Sequence, residues 1–176
     1  MGLMPARRIL QLGDPTLREK SRHVASPIDA APILEDLRDT LHDFRSNHGF
    51  GRGISAIQIG RPARVIYIEF EGKRHSLLNP VFESLSEERI RLWDDCFSFP
   101  DLLVYVERSS AVVLRYLDER GEPHTLQASG ALSELLQHEM DHLDGILAID
   151  RAVDRDSFRT REEHRRRLSS PPPAPR

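Results

Sequence analysis

The chain has 176 residues, enough to bury one hydrophobic core and few for two. With 39% hydrophobic and 30% charged residues and a formal charge of -3, it reads as an ordinary globular protein, and nothing calls for DNA or a membrane as partner. The opening MGLMPARRILQLGD lacks the apolar stretch of a signal peptide and the Ser or Thr that myristoylation needs at position 6, and no apolar run approaches membrane-spanning length. A cytoplasmic location is expected, and the single cysteine, Cys96, fits a reducing compartment because it can form no intrachain disulfide.

From residue 10 to residue 24 the chain reads as irregular, punctuated by Gly13 and Pro15, with Pro27 before the next periodic stretch. Ile33, Leu34, Leu37, Leu41 and Phe44 then recur at helical spacing, which predicts a helix over about residues 30–48 that Gly49 stops. The segments ARVIYIEF, HSLLNPVFESL, ERIRLWDD, LLVYVER, AVVLRYLD and PHTLQA are short and rich in β-branched or aromatic residues. Gaps too short for crossover helices make their pairing mostly antiparallel, so the fold class is α+β. Helix returns over residues 129–143 with an apolar stripe of Ala131, Leu132, Leu135, Leu136, Met140 and Leu143, and Gly145 marks its end. A charged helix is expected over residues 154–168, and SSPPPAPR ends the chain in prolines that forbid regular packing. The expected organisation is one domain over residues 1–168 and a disordered tail over 169–176.

The sequence QHEMDHLDG, residues 137–145, carries the chemistry. Two helical residues four apart lie about 40° apart around the axis and roughly 6 Å along it, so His138 and His142 can reach one metal ion. Glu139 points away from the ion yet can reach a water on it. Chance alone would produce H-E-x-x-H in about 3 of 100 such chains, and this copy falls on a predicted amphipathic helix, as metal chemistry requires.

A catalytic metal keeps three protein ligands and leaves a fourth position to water. The H-E-x-x-H-x-x-G-x-x-H peptidase pattern fails, because its last position is Ala148. Glu162 or Glu163 would suit a small metallopeptidase, although both stand among Arg159, Arg161, Arg165, Arg166 and Arg167, where surface pairing is simpler. The third source is Cys96 in WDDCFSFP, whose polar neighbours do not suit a plain core position. With two imidazoles and a water it would make a tetrahedron fit for iron, zinc or cobalt.

Three segments taken together resemble the peptide deformylase family, marked by G-x-G-x-A-A-x-Q, then E-G-C-L-S, then H-E-x-D-H. The chain reads Gly51-Arg52-Gly53-Ile54-Ser55-Ala56-Ile57-Gln58, then Asp94-Asp95-Cys96-Phe97-Ser98, then His138-Glu139-Met140-Asp141-His142, and ILQLGDPTLR near the start is similar to the family's usual entry. The first segment alone would also fit a dinucleotide fingerprint, but it follows a helix where a strand is required. The resemblance implies antiparallel sheets packed around a central helix carrying the histidines, with a helix at either end. It implies Cys96, His138 and His142 as ligands of iron(II), with Zn2+, Ni2+ or Co2+ also accepted by the set. It implies Glu139 as the acid-base residue, and Gln58 together with the backbone N–H of Phe97 as donors to the oxyanion. The implied substrate is an N-formyl peptide or a related small N-formyl compound, bound along Gly51, Arg52, Gly53, Ile54, Asp94 and Asp95.

By the same resemblance Asp141 orients a ligand or pairs with a basic residue, for which Arg108 is the candidate. Two departures stand out: Arg52 where the family carries an apolar residue, and Asp95 where it carries glycine. They are expected to recharge the cleft and favour a smaller or more polar substrate than a formyl-methionyl peptide. A catalytically dead copy and a deformylase-like binding module are the remaining readings. The arginines of the last helix read as a solvated face, with contact to ribosomal RNA as the alternative.

Overall fold

The computed structural model describes residues 6–169, so the readings made on the first five residues and on residues 170–176 lie outside it. Ser26 caps the first helix, α1 (Pro27–His48), by accepting from the Ile28 N–H, and Gly49 ends it in the left-handed conformation. The helix starts three residues before the expected residue 30, and proline at the first helical turn breaks no hydrogen bond. Its face of Leu34, Leu37, Leu41 and Phe44 packs on Ile54, Val65, Tyr67 and Leu78.

Eight strands among the described residues follow the helix or its successor: β1 (Gly53–Ser55), β2 (Val65–Phe70), β3 (Lys73–Leu85), β4 (Arg89–Asp95), β5 (Leu102–Ser109), β6 (Ala111–Leu117), β7 (Pro123–Ser129) and β8 (Phe158–Thr160). Two sheets result, β1-β2-β3-β6-β7 and β4-β5-β8, and every pair within them is antiparallel as the short gaps require. Strand β2 is buried on both faces. Its Val65 and Tyr67 meet α1, while Ile66 and Ile68 meet the second helix, α2 (Gly130–Leu143), through Leu136, Met140 and Leu143. A third cluster, with Leu17, Cys96, Phe99, Val104 and Val106, lies under the smaller sheet.

Helix α2 runs between the sheets and is buried continuously from Ser133 to Leu143, polar residues included. The apolar stripe is therefore only part of its packed surface, and its polar side chains survive inside because they have partners. Gln137, for instance, accepts from the Ser109 N–H at 2.9 Å and donates to the Ser109 carbonyl at 2.9 Å. Beyond α2, Gly145 (φ 73°) admits no side chain, since a Cβ there would lie 2.4 Å from the Arg18 carbonyl oxygen.

The expected final helix begins later than its charge pattern suggested. Asp154 accepts from Asp156 N–H and the Ser157 hydroxyl, a local turn that competes with helix, and residues 158–160 pair with β5 instead. Helix α3 (Arg161–Ser169) follows, so Ser169, expected in the tail, closes the helix. No helix among the described residues is long and apolar enough to cross a membrane.

Glu69 ties α1 to β2. Its carboxylate accepts from Tyr67 Oη at 2.7 Å and Arg45 Nη1 at 2.8 Å, and lies 2.9 Å from His42 Nε2. Burial opposes its ionisation, but these partners outweigh burial and hold the carboxyl down to about 2, against an ordinary 4.5. The folded-state value lies below the unfolded one, so this stabilisation is complete above pH 4.5 and is lost as pH falls toward 2. Glu69→Gln should lower stability at neutral pH by about 1 kcal/mol. It should also flatten the acid limb across the same window, as urea melts at stepped pH will show.

Candidate metal centre

Strand β4, the turn after it and helix α2 bring Cys96, His138 and His142 together, and all three are buried. Cys96 Sγ lies 3.3 Å from His142 Nε2, which lies 3.1 Å from His138 Nε2. Ligand atoms about 2.0–2.3 Å from one tetrahedral ion stand about 3.3–3.6 Å apart, so the set fits a single metal with little adjustment. Glu162 and Glu163, the rival third ligands, are not part of this group, and the Glu163 carboxylate is taken up by Arg166 at 2.8 Å and Arg167 at 2.6 Å.

The imidazole of His138 is oriented from behind, where its Nδ1 lies 2.9 Å from the Asp94 carboxylate. Arg108, 3% exposed, donates to Asp94 at 3.1 Å and also holds Asp141, which takes Arg151 at 2.7 Å as well. The Arg108 partner anticipated for Asp141 is thus present. Asp94, expected along the cleft, also lines the cavity, and its carboxylate is committed to His138 and Arg108. Burial works to lower the pKa of His138, but the charge and hydrogen bond of Asp94 more than offset it and hold it well up. Nothing comparable supports His142, whose pKa burial and the neighbouring His138 push well down.

Glu139 lies beside this group on the wall of a cavity of about 320 Å3. The Ser55 hydroxyl donates to its Oε2 at 2.5 Å and to its backbone carbonyl at 3.0 Å, which fixes the side chain. Burial raises its pKa, with His138 and Ser55 acting against the rise. That places a carboxylate nearer the range where it can both take and return a proton. Ser55 escaped the sequence reading, although serine where the motif has alanine was its visible signal. Gly53 is required here, since a Cβ would meet Ile68 at 2.9 Å and Glu139 Oε1 at 3.0 Å.

Gln58 also faces the cavity. Its Oε1 accepts from the Ser55 N–H at 2.9 Å, which turns Nε2 toward Cys96 Sγ at 3.7 Å and Ser98 Oγ at 3.3 Å. Among the described residues nothing accepts the Phe97 N–H. An N-terminal segment stitches both arms together: Leu10 N–H donates to the Gln58 carbonyl and Leu12 N–H to the Ser98 carbonyl, each at 2.8 Å. Gly51, Arg52 and Asp95 line the cavity as expected. Ile54 does not, because strand alternation turns it from Gly53 and Ser55 into the core beneath α1.

The two unexpected charges are both paired. Arg52 Nη2 donates to Glu134 Oε2 at 2.8 Å, and Asp95 accepts from Arg161 Nη2 at 3.0 Å. Arg161 also covers the Phe50 ring, its Cζ 3.8 Å from the centroid. Sequence spacing gave no hint of either partner, since each lies far away in the chain.

A sulfur, two imidazoles and an adjacent glutamate in a cleft that retains an open side define a mononuclear metallohydrolase. The polypeptide deformylase profile matches residues 6–158. The chain is 35% identical over 153 residues to the peptide deformylase of Brucella suis biovar 1 (strain 1330), covering 84% of this chain and 85% of that protein. It is 34% identical over 157 residues to the peptide deformylase of Dictyoglomus thermophilum, covering 89% and 99%. Among solved structures, a peptide deformylase from Synechococcus elongatus in complex with actinonin superposes with a TM-score of 0.81 at 31% identity, covering 88% of this chain and 82% of that one. The Thermotoga maritima peptide deformylase gives 0.79 at 29% identity, covering 86% and 100%. The chain belongs to the peptide deformylase family, whose members are metal-dependent hydrolases.

Asp94→Asn removes the charge that orients His138. Metal affinity should fall by about ten- to a hundredfold, read by competition with a chromophoric chelator, while the far-ultraviolet circular dichroism stays unchanged.

Proposed function

We propose that this protein hydrolyses the formyl amide at the N-terminus of peptides, releasing formate and a free amine, with Cys96, His138 and His142 holding the metal. The observation that carries the reading is the approach of Cys96 Sγ and the two Nε2 atoms, at 3.3 and 3.1 Å, beside a buried glutamate in an open cavity. Iron(II) is the resident metal in this reading, and the ligand types also accept zinc, nickel and cobalt. When bound, the ion supplies Lewis acidity that makes water nucleophilic at neutral pH and polarises the formyl carbonyl.

Glu139 takes a proton from the attacking water and delivers it to the nitrogen as the C–N bond breaks. Its Oε2, pinned by Ser55, and its Oε1, which takes no hydrogen bond among the described residues, support that shuttle. The Gln58 amide and the Phe97 N–H donate to the oxygen that gains negative charge, each commonly worth about 3 kcal/mol. An oriented Gln58 Nε2 and an uncommitted Phe97 N–H support these roles. The cleft runs along Gly51, Arg52, Gly53 and Asp95. Cytoplasmic action belongs to the same reading, supported by a free thiol at Cys96 that suits reducing surroundings. The pairing of Glu163 with Arg166 and Arg167 favours α3 as solvated surface over a contact with ribosomal RNA.

Three substitutions separate the roles. Cys96→Ala should abolish both metal retention and formate release, measured by elemental analysis of protein purified without oxygen and by a formate dehydrogenase-coupled assay. Glu139→Gln should keep the metal while turnover falls about a hundred- to ten-thousandfold. Gln58→Ala should also keep the metal and lower kcat by about a hundred- to a thousandfold. Wild-type metal content in Cys96→Ala would refute the ligand set.

A further inference from the structure

The cleft wall next to the metal-ligand cluster carries an ion pair where an apolar side chain would need an apolar surface. Glu134 is four residues before His138 on α2, so it projects from nearly the same helix face about 6 Å along the axis. Its carboxylate lies within 4.8 Å of ligand-type atoms of both Asp94 and His138. The Glu134 side chain is 3% exposed, and its Oε2 receives Arg52 Nη2 at 2.8 Å. Among the described residues no hydrogen bond reaches its other oxygen, Oε1, although Glu134 lines the cavity. Arg52, 41% exposed, is further anchored by Nη1 to the Ala131 carbonyl at 3.4 Å.

The pair therefore offers the cavity two things at once: an acceptor with spare capacity and a guanidinium edge with donors. Filling this space with a thioether would dehydrate both groups and return no hydrogen bond. A cationic side chain would satisfy Glu134 but face Arg52, and an anionic one would do the reverse. An uncharged group that donates and accepts suits both members without separating them, and a carboxamide is a side-chain group of that kind.

Resting on the deformylase reading, we propose that Arg52 and Glu134 make this enzyme selective for N-formyl peptides whose first side chain is an uncharged donor-acceptor, best met by glutamine, over those beginning with an apolar side chain. Discrimination against the apolar isostere arises because a site built for hydrogen bonds is left with unpaired polar groups when the ligand lacks them.

The test compares formyl-glutaminyl, formyl-norleucyl, formyl-lysyl and formyl-glutamyl tripeptides, otherwise identical, on the metal-loaded enzyme. Expected is a kcat/KM for the glutaminyl peptide at least about tenfold above that for the norleucyl peptide, equivalent to about 1.4 kcal/mol, with both charged peptides below it. Calorimetric binding of the corresponding unformylated peptides should follow the same order. Norleucine equal to or better than glutamine overturns the proposal and leaves the deformylase reading standing, as does a charged side chain ranking first. Failure to hydrolyse any of the four overturns the deformylase reading and this inference with it. The double variant Arg52→Met, Glu134→Leu should reverse the order in favour of norleucine, and an unchanged glutamine preference would also overturn the proposal. If that variant does not fold, the wild-type comparison decides by itself.

Discussion

Arg108 sits buried between Asp94 and Asp141 and joins the strand that leads to Cys96 to the helix that carries both histidines. A buried guanidinium is costly to desolvate, and removing one of its partners typically costs about 3–5 kcal/mol because the remaining charge is stranded. Hydrophobic residues of similar volume would pack there without that penalty. They would not aim Asp94 at His138 Nδ1, and a ligand free to rotate holds metal poorly. The network thus trades stability for orientation: β4 and α2 come from different parts of the chain, and their register sets whether three ligand atoms meet.

The regular elements were readable because their patterns were long. Five apolar residues of α1, from Ile33 to Phe44, repeat at helical spacing, and six of the eight strands among the described residues were visible as β-branched runs. The two missed strands, β1 and β8, have three residues each, too few for alternation to register. Their existence depends on partners, β2 and β5, and is a property of the tertiary fold. The site divides in the same way. The histidines and Glu139 follow from spacing on one helix. Cys96 was found through its polar surroundings and by resemblance, whereas Ser55, Glu134 and Arg161 act across the fold and leave no local trace.

Pairing also changes what the unusual charges mean. Taken singly, Arg52 and Asp95 suggest a cleft of altered potential. In the folded chain each is matched, so the net field is little disturbed and local hydrogen-bonding capacity is what differs. The same cleft is also lined by Phe50, Trp93, Phe97 and Leu135, so its polarity is confined to particular positions.

The short stitch made by Leu10 and Leu12 has a temporal consequence. Leu10 and Leu12 clasp the loops around Gln58 and Ser98, while the imidazoles come much later in the chain, with residues 138–142. Contacts this distant along the polypeptide close late and together, since loop-closure entropy must be overcome before they are rewarded. A chain that has not yet delivered residues 138–142 thus lacks two of its three metal-binding side chains, and the centre waits on contacts between segments distant from one another.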